Sequence, residues 1–426
     1  MSISKDGPYA IPTCFSPADS RIPHARGPVP FTDSQNNDLL MCIAEAQRSA
    51  NDLKERLNQS IVSPLQLGHA SLPLRRTLSQ ALHISSPTLQ RLASSTTYET
   101  TKMAVKTVLG DEESAAKRLV DFCVYDRFFY THRLTSMSMH EYAAQVIATC
   151  AAVLYDLPHT FLDLAEVSAM VGAMERMFEY LHGNLPKDNG ASGETPIVGA
   201  QTYPVEDCDK AWMEATSETV AWTETVSDYR WVVGHHFFNV VAQFCGGFLL
   251  RADQAANDNH AILCADHLRD AERFLRASTA GLWYAGAFPA AIYERHTRPA
   301  MISTDAREGF TGAHNADYER MKVAKSAMTT AIIERYGPDG NPCPRQLFDA
   351  LKDFLGTEIA DVEAHILVAE IKVKAGKSLA QQVKHKQIGL PQGVTAKGAT
   401  DILRDMAQST RSRAQRLLAM LRVEEE

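Results

Sequence analysis

Apolar residues recur at intervals of three and four along most of this chain, and no alternating apolar–polar run of useful length interrupts them. That period buries one stripe of a helix, whereas a half-buried strand needs alternation, so the expected fold class is all-α. The clearest instance lies late, at Asp361-Val362-Glu363-Ala364-His365-Ile366-Leu367-Val368-Ala369-Glu370-Ile371-Lys372. Ile359, Val362, Ile366, Leu367 and Ala369 make its stripe, from which His365 is expected to point into the interior.

Prolines and glycines divide the chain. Residues 1–34 carry Pro8, Pro12, Pro17, Pro23, Pro28 and Pro30 without an apolar period, so an extended arm is expected, disordered or laid across a neighbour. A homodimer would serve such an arm. A helix is expected over about 36–59, a looser region around Pro64, Pro73 and Pro87, and strongly helical sequence over about 88–183. The turn-rich stretch Gly183–Gly193 separates a helical region of 35–190 from a second one of 200–426. In the latter, helices are expected over about 206–250, turning near Gly234 and ending at Gly246-Gly247, then over about 258–281, 282–297, 314–336, 343–376 and 397–422.

Composition narrows the function classes. With 426 residues, 45% of them hydrophobic, the chain can bury a large core. The net charge of −8, with dispersed basic residues, does not favour nucleic acid or an anionic membrane as partner. No run of about eighteen apolar residues and no secretory leader is present, so a soluble cytoplasmic protein is expected. The eight cysteines stand singly at 14, 42, 123, 150, 208, 245, 264 and 343, without a Cys-x-x-Cys pair. They are expected to be reduced, mostly buried thiols rather than zinc ligands or disulfides.

Three regions carry chemistry. A neutral imidazole on a rigid buried helix, as expected of His365, suits axial ligation of a haem iron, which takes one protein nitrogen and leaves its opposite face open. A core histidine bonded to a carbonyl accounts for the same spacing. The second region runs from Tyr293 through Arg298-Pro299 to the loop Gly309-Phe310-Thr311-Gly312-Ala313-His314. Arg298 offers a planar fork for a carboxylate, and Gly309 and Gly312 offer backbone N–H groups to an anion; a helix terminus with Arg298 set against its dipole explains the residues equally. The third is His235-His236, which could line a pocket or bind a metal, although adjacent residues of a helix point about 100° apart and cannot both face one small site.

The order Tyr293, Arg298-Pro299, Gly309-x-x-Gly312, the helix His365-Ile366-Leu367-Val368-Ala369-Glu370, a glycine-bearing loop at 389–398 and a closing arginine-rich helix resembles the monodechloroaminopyrrolnitrin synthase family. That family belongs to the tryptophan 2,3-dioxygenase and indoleamine 2,3-dioxygenase superfamily, and the resemblance covers roughly residues 230–422. It implies an all-helical haem b protein, with His365 as the iron ligand and Arg298, Gly309 and Gly312 at the cofactor or substrate. It also implies an oxygenase of secondary metabolism that uses O2 on a small indole-like or other aromatic amine. The Gly-Thr-Gly-Gly-Ser loop of the tryptophan dioxygenases is replaced here by Ala375-Gly376-Lys377-Ser378. Two other readings of the residues are a di-iron oxygenase using Glu214, Glu218 or Asp361 with His365, and a non-catalytic helical binding protein.

Overall fold

A computed structural model of the chain describes residues 14–15, 33–59, 61–63, 66–95, 98–109, 113–133, 138–185, 221–304, 306, 310–373 and 398–424. The architecture is all-α, as the periodicity requires. The long helices are α1 (Asp33–Asn58), α2 (Leu72–Ser95), α3 (Tyr98–Leu109), α4 (Glu113–Phe128), α5 (Met139–Asp156) and α6 (Leu164–Asn184). They continue with α7 (Ala221–Asn257), α8 (Ala261–Ala285), α9 (Ala316–Tyr336), α10 (Arg345–Lys372) and α11 (Ala399–Met420). Extended pairing among the described residues is limited to Cys14–Phe15, antiparallel to His132–Arg133, and a bridge between Cys343 and Val423. Residues 1–13 and 16–32 of the arm, and the composition break at 190–200, lie outside the described residues; residues 33–34 open α1.

Two units interleave along the sequence. One gathers Ala10–Ala104 with Phe129–Val240; the other gathers Val105–Phe128 with Val241–Glu426. In the first, α1 packs on α6 and α2, and α5 packs on α2 and α6. Leu39 and Ile43 of α1, Leu78 of α2, Ile147 of α5, and Met174 and Phe178 of α6 are withdrawn from water. Each contributes roughly 1.5–3 kcal/mol by burial. Helices α5 and α6 start at capping boxes, Ser138 with Glu141 and Asp163 with Glu166, in which each side chain takes the other residue's backbone N–H. The looser region expected around Pro73 and Pro87 is instead the continuous α2. Pro73 falls in its first turn, where a missing N–H leaves no hydrogen bond unmade.

In the second unit α10 lies between α8 and α11. Leu347, Leu351 and Phe354 are its buried stripe. Thr279 of α8 donates to Asp361 at 2.8 Å, and Thr357 of α10 donates to Glu272 at 3.0 Å. The turn expected near Gly234 and the helix end expected at Gly246-Gly247 are both absent, because α7 runs through all three glycines. Gly246 serves contact instead. A Cβ there would stand 3.3 Å from the Met321 Cα of α9, so the glycine lets two backbones approach.

In the first unit, Arg230 forms a buried two-pronged pair with Asp156, at 2.8 Å and 3.1 Å, and also donates to the His159 carbonyl. Removing one partner strands a buried charge, so Asp156→Ala should lose about 3–5 kcal/mol in urea titration. The double variant Asp156→Leu with Arg230→Met should regain most of it. A loss under about 1 kcal/mol in Asp156→Ala would show that the pair is not holding α5 to α7.

Candidate active site

The start of α9 gathers several buried polar groups of the second unit. Asn315, completely buried, caps the helix by accepting the Tyr318 N–H at 3.0 Å, and its amide donates to the Tyr125 hydroxyl of α4 at 3.4 Å. Asp317 accepts from the Gln243 amide of α7 at 3.2 Å. The other atom of that amide, Oε1, is buried without a hydrogen-bond partner in the structure. His314, in the single 3-10 turn that precedes the cap, is buried as well, with its ring 5.7 Å from that of Phe122. Phe310 stacks on Tyr125 at 5.6 Å and meets Phe128 at 4.6 Å. The product is an imidazole and three hydrogen-bonding side chains in an aromatic, water-poor setting, where polar contacts are stronger than in solvent.

Arg298 follows a single π-helical turn, Tyr293–Thr297. It is half-buried and hydrogen-bonded to the phenol of Tyr293. Burial pushes that phenol up from its ordinary value, and the guanidinium works against the shift. Gly309 lies outside the described residues. Gly312 opens the turn that ends at His314, and a Cβ there would meet nothing within 4 Å. The loop spends two of its N–H groups on itself, since Ala313 donates to the Thr311 hydroxyl and His314 to the Thr311 carbonyl.

The paired histidines divide as helix geometry demands. His236 is buried and donates from Nε2 to the Phe129 carbonyl at 2.6 Å. Burial lowers its pKa to about 4, with the Phe129 bond acting the other way, so the ring is neutral near pH 7. His235 is half-buried, stacked on Phe129 at 3.8 Å, and bonded through Nδ1 to the Trp231 carbonyl at 2.6 Å.

His365 is not in the interior as its stripe implies. Its side chain is 43% exposed, and Leu367 is 50% exposed. Buried side chains of this part of α10 are Thr357, Ala364 and Lys372; Ala364, the residue next to His365, points about 100° away from it. Nδ1 lies 2.8 Å from the Asp361 carbonyl and 3.6 Å from its carboxylate. Nδ1–H donates to that carbonyl.

The architecture is helical, and His314 lies buried beside the ring of Phe122. A protein-family model described as SfmD 3-methyl-L-tyrosine peroxygenase matches residues 18–339, and the chain belongs to that family. The family is one of haem oxidoreductases related to the tryptophan and indoleamine dioxygenases. No curated protein and no solved structure matches the chain. The match reaches far ahead of residue 230, where the motifs show no resemblance, and it ends before His365. No helix among the described residues is long and apolar enough to cross a membrane.

Spacing favours His365 over His314 because the latter ends a loop and belongs to no stripe. The available signal was the capping pattern behind it: Asn315, then Asp317 and Glu319 in the first turn of α9.

The shift of His236 gives a pH dependence with a definite sign. Between pH 6.5 and about 4 the unfolded ring takes up a proton that the folded ring refuses, so stability falls on acidification across that window. His236→Gln keeps a donor for the Phe129 carbonyl but does not titrate. Its urea midpoint should therefore fall less than the wild type's from about pH 7 to about pH 5. Equal falls would exclude His236 as a source of acid sensitivity.

Proposed function

We propose that the chain is a haem-dependent peroxygenase of secondary metabolism acting on a small phenolic amino acid. The family match over residues 18–339 carries this reading, and the aromatic surroundings of His314 agree with it. The oxidant is then a peroxide rather than O2, and the substrate ring a phenol rather than an indole. Haem, when bound, supplies a redox-active iron held by its porphyrin and one protein nitrogen.

The donor set fits such a group. Among the described residues no cluster of three or more His, Cys, Asp or Glu could hold a bare metal ion, whereas a di-iron centre draws on carboxylates and histidines from several helices. Glu214 and Glu218 lie outside the described residues. The ligand of a family-wide cofactor belongs within the matched stretch, where His236 and His314 are the buried histidines among the described residues. Nε2 of His236 is bound to a carbonyl. We assign the iron to His314, which lies buried beside Phe122 in that stretch. Phe122, Tyr125, Phe128 and Phe310 would exclude water from that side, and Gln243 and Asp317 would hold polar hydrogens of the substrate. Arg298 would take a carboxylate with its planar fork of donors.

One observation favours a second reading, with iron on His365: its Nδ1–H is fixed on a carbonyl, as in many ligand histidines. Replacement by glycine separates the two, since it leaves a cavity of imidazole size. His314→Gly should lose its Soret band and recover it with added imidazole, while His365→Gly keeps the wild-type spectrum. The opposite pattern moves the iron to His365. A wild-type protein that shows no Soret band after reconstitution with haem ends the proposal.

A further inference from the structure

A cavity of about 720 Å³, lined by residues of α8, α10 and α11, lies in the second unit and shares no residue with the candidate active site. That volume is in the range of small-molecule sites. Gly356 and Ala360 of α10 and Ala414 of α11 give it a floor of small residues, and Leu355, Ile359 and Leu418 add apolar surface.

The packing of its neighbours does not explain Gly356. A glycine inside a helix weakens it relative to alanine, because its backbone has more freedom to lose on folding. At Gly246 the close approach of Met321 requires the small residue, whereas at Gly356 a Cβ would meet nothing within 4 Å. A side chain there would enter the cavity. What the glycine preserves is open space.

The two guanidiniums of the lining stand at one end. Arg276 lies on α8 between Glu272, which accepts the Thr357 hydroxyl of α10, and Thr279, which donates to Asp361 of α10; Arg411 of α11 pairs with Glu363 of α10. Both arginines are thus at the level of Ala360. Lys352, with Asp353 next to it, lines the other end, about 12 Å back along the helix axis. Arg276 gives Nε and Nη2 to Glu272, and Arg411 gives Nη2 to Glu363, so Nη1 of each bonds to no described residue. Neither glutamate lines the cavity.

We propose that this cavity binds an amphipathic carboxylate of the fatty-acid class. Its head lies between Arg276 and Arg411, where the remaining N–H groups make charge-assisted bonds to it. Its chain runs over Ala360 and Gly356 towards Leu418 and removes that apolar floor from water. A groove two turns of helix long suits a chain better than a single ring.

Decanoate, decanol and decyltrimethylammonium share a chain and differ in the charge of the head. Calorimetric titration of the full-length protein with each, below its micelle-forming concentration, therefore isolates the head contact. Decanoate should bind saturably and raise the thermal midpoint, as a ligand of the folded state does. Decanol should bind roughly tenfold more weakly, and the cation not measurably. Gly356→Leu fills the floor and should abolish decanoate binding while raising the thermal midpoint of the unliganded protein, so that lost binding is not lost fold. Arg411→Gln should weaken decanoate roughly tenfold and leave decanol unchanged. Equal affinity of the wild type for decanoate and decanol overturns the anionic head. Full decanoate affinity in Gly356→Leu, or a wild type that binds none of the three compounds, overturns the site.

Discussion

The amide of Asn315 is the contact on which the second unit's chemistry depends. A fully buried amide must satisfy both of its ends, and Asn315 does so on two helices: Oδ1 closes the first turn of α9, and Nδ2 reaches the Tyr125 hydroxyl of α4. A cap contributes about 1 kcal/mol to its helix. Its larger consequence is geometric, since it fixes where α9 begins and therefore the direction of His314 immediately before it. Phe310, stacked on the same Tyr125, ties the other end of the loop to α4. One tyrosine thus sets both ends of the segment 310–315.

Helix periods are local properties, and they were legible. The expected helices of 314–336, 343–376 and 397–422 correspond to α9, α10 and α11 within a few residues. The failures share a cause: the same residue type serves two purposes that only tertiary contact separates. Gly246 reads as a helix end, but Met321 packs where its side chain would be. Pro73 reads as punctuation, but it stands in the first turn of a helix that needs no N–H there. Composition marks glycine and proline; it does not mark what lies opposite them.

The candidate site was legible in part and for a related reason. Arg298 stands out because arginine before proline is visible in one dimension. Its π turn is not, because nothing in Tyr293-Glu294-Arg295-His296-Thr297 separates a turn closed at i→i+5 from one closed at i→i+4. The stripe around His365 is real as a pattern, yet the buried line of α10 is set by where α8 and α11 press on it. Ala364 is buried there, and one residue of displacement carries the imidazole to the rim.

The geometry of His365 must also be weighed against that of its neighbours in kind. Its Nδ1 meets the carbonyl four residues back, at Asp361, and Asp361 is in turn held by Thr279. His235 does the same with Trp231, four residues back on α7. A half-buried helical histidine reaches that carbonyl as a matter of local geometry, with or without a metal, so the contact cannot by itself identify a ligand. What separates the histidines is what surrounds the ring. His365 has solvent on one side and lies on a helix beyond the family match; α10 keeps its place there through the burial of Leu347, Leu351 and Phe354. The exposed pair of Arg404 with Glu370 adds little to that anchoring. His314 lies inside the match, buried against Phe122.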